Sequence, residues 1–461
     1  MTTQDSSKAP TAATVQAGGS ERARYAVVGL GSRSRMFTTA LLTEYHESGQ
    51  LVALCDPNQT RMGYYNKKFA DSYGIAPIPT YAPDEFVRML DEERVDTVIV
   101  TSVDRTHDHY IVTAMENGRD VISEKPLTTD ADKCQRILDT QHRTGQKLTV
   151  SFNYRYAPRN SAVKDLLQSG AIGDVQSVHF EWLLDTRHGA DYFRRWHRDK
   201  RNSGGLMIHK ASHHFDLVNW WLGTVPETVF GFGDLRFYGR DNAERRGEVV
   251  RSYRSHGSPD GEKNPWAISL ADDPTLRALY LDAEHEDGYL RDRNVFADGI
   301  SIEDDMSVLV RYATGATMTY HLTAYSPWEG YRVMFNGTKG RLELNVEERS
   351  YVSGTAQDPN KPGAGAAKKA PPIDRAQLMI RPLWDVPQPV EVEEGAGGHG
   401  GGDRRLLNDL FGEVKEADPL GRAATHVDGA YAMLVGAAAN RSFASGLPVR
   451  IRDLVDFPGG R

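Results

Sequence analysis

The chain has 461 residues, of which 39% are hydrophobic and 26% charged, with a formal net charge of -8. That length supports a sizeable core and more than one domain, and the acidic balance, without a long basic block, excludes a general attraction to nucleic acid or anionic lipid. Cys55 and Cys134 have no cysteine nearby, which excludes a disulfide framework and a CxxC metal site and predicts a reducing compartment.

In chain order, residues 1–23 are small and polar, with neither the apolar core of a secretory signal nor a twin-arginine entry, and predict a disordered tail and a cytoplasmic location. No run of about 18 apolar residues occurs, so no membrane span is expected. Residues 24–28 read as a buried strand, Gly29-Leu30-Gly31 as a turn and 34–45 as a helix. Strands at 50–55, 97–101, 120–123 and 147–152 then alternate with helices at 84–91, 108–117 and 130–144. This rhythm predicts a first domain over 24–149, an α/β unit with a doubly wound parallel sheet covered on both faces.

Beyond it, strands at 175–182, 306–312, 316–323, 331–336 and 340–344, with turn pairs Thr314-Gly315 and Lys339-Gly340, predict an α+β domain over 150–461 built on a large, mainly antiparallel open sheet. A charged, mixed segment at 236–299 interrupts the pattern, as does a Gly/Pro/Ala-rich stretch at 354–372 that predicts a flexible loop. Helices are expected at 404–416 and 423–444, with His399 and the glycines through Gly402 as an entry turn in preference to a second pocket lip.

The first turn carries Gly29, Gly31 and then Ser34 where the dinucleotide fingerprint GxGxxG has its third glycine. Such a turn lets backbone approach a pyrophosphate seated on the N-terminus of the next helix. Asp56 ends the second strand at the spacing where a carboxylate meets the adenosine ribose hydroxyls. It favours NAD over NADP, a preference tempered by Arg61 and Arg33, either of which can turn to a 2'-phosphate. The bland alternative for Asp56 is a cap on the helix after Pro57. Lys125, in Glu124-Lys125-Pro126 at the end of the fourth strand, sets a titratable amine beside that nucleotide.

Together these features resemble the Gfo/Idh/MocA family of oxidoreductases (glucose-fructose oxidoreductase, inositol dehydrogenase and relatives), over nearly everything from Tyr25 to Pro458. The matching elements are the glycine turn with Asp56, Ser102 with His107, Gly118 through Glu124-Lys125-Pro126-Leu127, Asn153-Tyr154-Arg155-Tyr156, Gly170-Ala171-Ile172-Gly173, and Gly204-Gly205 through His213 to Asp216. The resemblance implies a first domain that binds NAD(P) through Gly29, Gly31, Ser32, Arg33, Asp56, Arg61, Ser102, His107, Glu124 and Lys125. It implies a second domain whose open sheet covers the nicotinamide and mediates a homo-oligomer, a dimer or a tetramer. Lys125 then hydrogen-bonds the hydroxyl being oxidised, and His213 is the active-site histidine. The alternatives are a surface lysine and a histidine satisfied in the domain interface.

Residues 203–216 read as one helix with an apolar stripe of Ile208, Ala211 and Phe215 and a polar face of His209, Ser212, His213 and Asp216. Where many relatives carry Asp, this chain has His209 followed by Lys210, which predicts a modified proton relay and a more electron-rich or anionic substrate. His209 and His213 also have the spacing of two metal ligands, with His188, His197 or His214 as a third. The glutamate of HExxH is missing and the family generally needs no metal, so none is expected. Tyr154, Arg155, Tyr192, Arg195, Trp196, Lys210 and His213 are the candidate substrate contacts. For residues 188–198 an exposed charged loop is an equal reading, and for Tyr154 and Arg155 structural hydrogen bonds are.

The expected function is hydride transfer between a sugar, cyclitol or glycoside carbinol and NAD, with Lys125, His213 and His209 handling the proton. The runner-up is a redox-assisted glycosidase, in which transient oxidation, elimination of the aglycone, hydration and re-reduction leave NAD unconsumed. A non-catalytic NAD-binding regulator is the third class.

Overall fold

The computed structural model describes residues 22–258, 264–352, 376–393, 395, 398–414 and 417–459. The expected flexible loop at 354–372, and all but the last two residues of the expected tail, lie outside them.

Strands Ala23–Val28 (β1), Gly49–Cys55 (β2), Thr80–Tyr81 (β3), Thr97–Val100 (β4), Asp120–Ser123 (β5) and Leu148–Val150 (β6) form a six-stranded parallel sheet in the order β3-β2-β1-β4-β5-β6. Their Val, Ile and Leu runs are buried because helices cover both faces: Val27, Leu54, Val98 and Ile99 have no exposed surface. Helices Ser34–Leu42, Gln59–Tyr73, His107–Glu116 and Ala131–Thr144 make the crossovers. Strand order reverses between β1 and β4, which opens a crevice at their carboxyl ends. Gly29 makes that crevice possible. It has φ +85°, and a Cβ there would sit 2.4 Å from Ser102 Cα.

The second sheet holds Val175–Asp185 (β7), Pro226–Asp234 (β8), Asp305–Tyr312 (β9), Thr317–Ser326 (β10), Glu329–Gly337 (β11), Gly340–Arg349 (β12), Ala376–Pro382 (β13), Gln388–Val390 (β14) and Val449–Arg450 (β15). Its order is β14-β13-β12-β11-β7-β10-β9-β8-β15, and β7 and β10 pair in parallel while the other neighbours are antiparallel. Alternation sets the buried face: Met306, Val308, Val310, Met318, Tyr320 and Leu322 point inward, and Ser307, Arg311, Thr317 and Thr319 outward. Four of these strands escape a reading by pattern, because β8 is diluted by Gly231 and Gly233 and β13 to β15 are short or bounded by proline.

Residues 203–216 are not one helix. Lys200–Ser203 ends at Gly204, Leu206–His209 makes a single turn, and a new helix runs over Ser212–Leu222. Gly204 and Gly205, with φ of 70° and 79°, end the first piece, and a second break falls at Lys210-Ala211. The single turn is pressed onto helix His426–Ser445 at Gly436, where a Cβ would lie 2.4 Å from the Met207 carbonyl oxygen. Among the described residues no helix is long and apolar enough to cross a membrane.

The charged segment at 236–299 has structure of its own. It contains helices Arg240–Arg245, Pro274–Leu276 and Glu284–Asp287 and a π-helical turn Arg277–Leu281. Leu270, Leu279 and Tyr280 leave the second domain and join the first-domain core of Leu30, Phe37, Leu54, Met62 and Tyr65. This burial fastens the segment across the glycine turn.

Candidate active site

A cavity of about 1100 Å³ lies between the carboxyl ends of β1 and β4 and the second domain, lined by the glycine turn, Asp56, Ser102, Lys125, His209 and His213 among others. At the nucleotide end, helix Ser34–Leu42 starts without a side-chain cap, which leaves its N-terminal amides for a ligand. Ser34 replaces the third glycine with a hydrogen-bonding group. Its buried hydroxyl lies 2.8 Å from the Gly31 carbonyl oxygen and 2.9 Å from the Tyr65 hydroxyl, pinning the turn to helix Gln59–Tyr73.

Asp56 Oδ2 accepts the Leu30 N–H at 2.6 Å, and Oδ1 accepts the Asn58 N–H at 2.9 Å. Burial pushes its carboxyl up, against the Leu30 hydrogen bond and the Arg61 guanidinium. Asp56 is not the helix cap, since Asn58 accepts the Arg61 N–H in that role. Gly31 has open space, with the Tyr280 hydroxyl 3.7 Å from where its Cβ would be. Ser32 donates its N–H to that same hydroxyl at 3.0 Å. Open glycine turn, uncapped helix and strand-end carboxylate together fit a dinucleotide.

His107 staples the two loops at the floor, with Nδ1 2.8 Å from the Pro126 carbonyl oxygen and Nε2 3.1 Å from that of Ser102. Burial pulls its pKa down, and a neutral ring donates to only one of these two carbonyl oxygens at a time. The Ser102 hydroxyl lies 2.8 Å from that of Thr106. Arg33 donates to Glu124 at 2.6 Å, which turns its guanidinium away from the adenosine end.

Lys125 precedes Pro126 through a cis peptide bond. Its Nζ donates to the His209 carbonyl oxygen at 3.0 Å and lies 3.4 Å from His209 Nε2. His209 Nδ1 in turn lies 2.5 Å from Asp104 Oδ2. With Nδ1–H directed at the carboxylate, the Nε2 lone pair faces Lys125. Burial pulls the Lys125 amine down to about 8, opposed by the Asp104 and Glu124 carboxylates. Burial also pushes Asp104 up, against Lys125 and Arg195, and pushes His209 well down. Sequence reading missed Asp104; the one signal was its place between Ser102 and His107 at the end of β4.

The second domain boxes in His209 with Tyr192, Trp196 and His197, whose rings lie 5.6, 5.8 and 4.2 Å from its own. Helix Thr186–Arg194 and the turn after it therefore form a wall of the cavity and not an exposed loop. Arg195 lines the same wall and donates to Asp191 at 3.1 Å. His188 Nδ1 lies 2.6 Å from Glu329 and its Nε2 3.2 Å from the Tyr192 hydroxyl. Lys210 Nζ donates to the Tyr154 hydroxyl at 3.4 Å and sits 4.5 Å above the Trp182 ring. His213 stacks on Tyr154 at 4.4 Å, and both line the cavity.

Three expectations change. Arg155 is not among the residues lining the cavity; it is 2% exposed and holds Asp216 through Nε at 2.8 Å and Nη2 at 2.5 Å, with Asp428 at 3.0 Å. Asp216 is buried in that pair and not on a pocket face. His209 and His213 do not share a helical face, because the chain breaks between them, and His214 turns away to the Tyr320 hydroxyl at 2.7 Å. Among the described residues no group of three His, Cys, Asp or Glu is placed to hold a metal ion.

Two family models match the chain: the NAD-binding Rossmann fold of an oxidoreductase family over residues 23–152, and the C-terminal alpha/beta domain of the same family over residues 164–451. A Bacillus subtilis protein named as an oxidoreductase, YteT, is 36% identical over 448 residues, which cover 92% of this chain and 97% of that protein. An inositol 2-dehydrogenase of Rubrobacter xylanophilus is 27% identical over 225 residues, 46% of this chain and 56% of that protein. Among solved structures, an aldose-aldose oxidoreductase from Caulobacter crescentus shares the fold with a TM-score of 0.58 at 17% identity, over 93% of this chain and 100% of that one.

Proposed function

The chain belongs to the Gfo/Idh/MocA oxidoreductase family, and from that premise we propose that it is an NAD-dependent oxidoreductase acting on a secondary carbinol of a sugar, cyclitol or glycoside. The observation that carries this reading is the line Asp104–His209–Lys125, which ends in the cavity beside the glycine turn. When bound, the nicotinamide takes up the hydrogen that leaves the carbinol carbon with its electron pair. Lys125, drawn down by burial, accepts the hydroxyl proton at Nζ. His209 turns its Nε2 lone pair to that amine, and Asp104 at Nδ1 fixes the tautomer that does so. His213, fixed against Tyr154, orients the carbinol. The aromatic faces of Tyr192 and Trp196 suit a ring of C–H groups, and a relative named inositol 2-dehydrogenase supports a polyol-like substrate.

The test is a panel of sugars, cyclitols and glycosides added with NAD while nicotinamide absorbance is followed. Reduction with one of them is expected; silence across the panel sinks the reading. One observation favours redox-neutral glycoside cleavage as a second reading: the segment around Tyr280 is fastened over the glycine turn, which would hinder cofactor exchange between turnovers. Aglycone release without NADH accumulation distinguishes it.

A further inference from the structure

A second carboxylate stands at the adenosine end of the cavity, and it comes from the other domain. Asp287 closes the helical turn Glu284–Asp287 and lines the cavity together with Asp56 and Arg61. Its Oδ2 lies 2.6 Å from Arg61 Nη1 and 3.2 Å from Asn58 Nδ2, while Oδ1 accepts the Tyr289 N–H at 3.0 Å. Arg61 is 7% exposed, and its Nε donates to the Leu279 carbonyl oxygen at 2.9 Å. The inserted segment thus holds Nη1 and Nε of the guanidinium, and Nη1 also lies 3.7 Å from Asp56 Oδ1.

The neighbouring Glu286 acts on the other donors a 2'-phosphate needs. It accepts the Gln59 N–H at 2.5 Å and the Thr60 N–H at 3.0 Å, so the first amides of helix Gln59–Tyr73 are already satisfied. A 2'-phosphate placed beside Asp56 would meet the Asp287 carboxylate, an arginine held through Nη1 and Nε, and occupied amides.

Resting on the dinucleotide reading above, we propose that Asp287 is a cofactor-specificity residue: it withdraws Arg61 from a 2'-phosphate and adds the negative charge that rejects NADP, with Glu286 holding the segment in place. Asp56 alone leaves Arg61 free to swing; Asp287 removes that freedom.

The experiment is calorimetric titration of the full-length protein with NAD and with NADP. Wild type is expected to bind NAD more tightly. Asp287→Asn is expected to improve NADP binding relative to NAD by about tenfold, and Asp287→Asn with Arg61→Gln to lose that gain. Arg61→Gln alone is expected to leave the NAD:NADP ratio near the wild-type value, which tests the same idea without touching Asp287. An unchanged ratio in Asp287→Asn, a selective loss of NADP binding in Arg61→Gln, or a wild-type preference for NADP overturns the proposal while the dinucleotide reading stands. Wild type that binds neither nucleotide overturns both.

Discussion

Asp104 and His209 lie 2.5 Å apart although the first follows β4 in the nucleotide domain and the second ends a single helical turn in the other. A carboxylate of the nucleotide domain is thus brought to the imidazole across the domain boundary. Removing its charge while keeping its shape leaves His209 free to adopt the wrong tautomer. Asp104→Asn should lower kcat by about a hundredfold with a small change in KM. A fall confined to KM, measured on a substrate found in the panel, would contradict a role in orienting the base.

The pH profile follows from Lys125. A base must be neutral to accept a proton, and burial brings this amine down to about 8, so kcat/KM should rise with pH up to that value and level off above it. Asp104 raises the Lys125 value, so Asp104→Asn should move the rise to lower pH. Lys125→Met should abolish turnover and keep NAD binding, as calorimetry can check.

Arg155 predicts a loss of stability where a substrate contact predicts a loss of affinity. Arg155→Met leaves Asp216 buried without its partner, and breaking such a pair costs about 3–5 kcal/mol. Burial already pushes Asp216 up to about 7 against the pull of Arg155, and the variant removes that pull. The folded state then binds more protons than the unfolded one between the ordinary carboxylate range and the raised value, so stability of the variant should fall as pH rises through that window. Thermal melts at several pH values test the sign.

Gly436 is far in sequence from the chemistry but carries the turn that holds His209. A methyl group there would collide with the Met207 carbonyl oxygen, and overpacking of this kind costs about 1–3 kcal/mol. Gly436→Ala should lower the melting temperature and kcat together and spare NAD binding. Unchanged kcat would show that the turn tolerates displacement.

The parts of the site that were legible in the sequence are those built within one or two adjacent elements. The Gly29 turn, Asp56 at the end of β2 and Lys125 after β5 follow from strand periodicity and glycine spacing, because parallel strands of one sheet bring their carboxyl ends together wherever they lie in the chain. Tyr192 and Trp196 could be named as pocket residues, but the wall they form became visible only when helix Thr186–Arg194 was seen against His209. The break at Lys210-Ala211 is hidden in the sequence because the apolar repeat of Ile208, Ala211 and Phe215 runs through it.

Fold class, the dinucleotide turn and the lysine beside it can be read along the chain, since they depend on local backbone preference and periodic burial. That Asp104 supports His209, that Arg155 answers Asp216 and that Asp287 pairs with Arg61 follows from how the elements pack. Each of these pairs joins residues more than 60 positions apart. A buried charge finds its partner through the packing of whole elements, and no spacing rule along the chain records which partner that is.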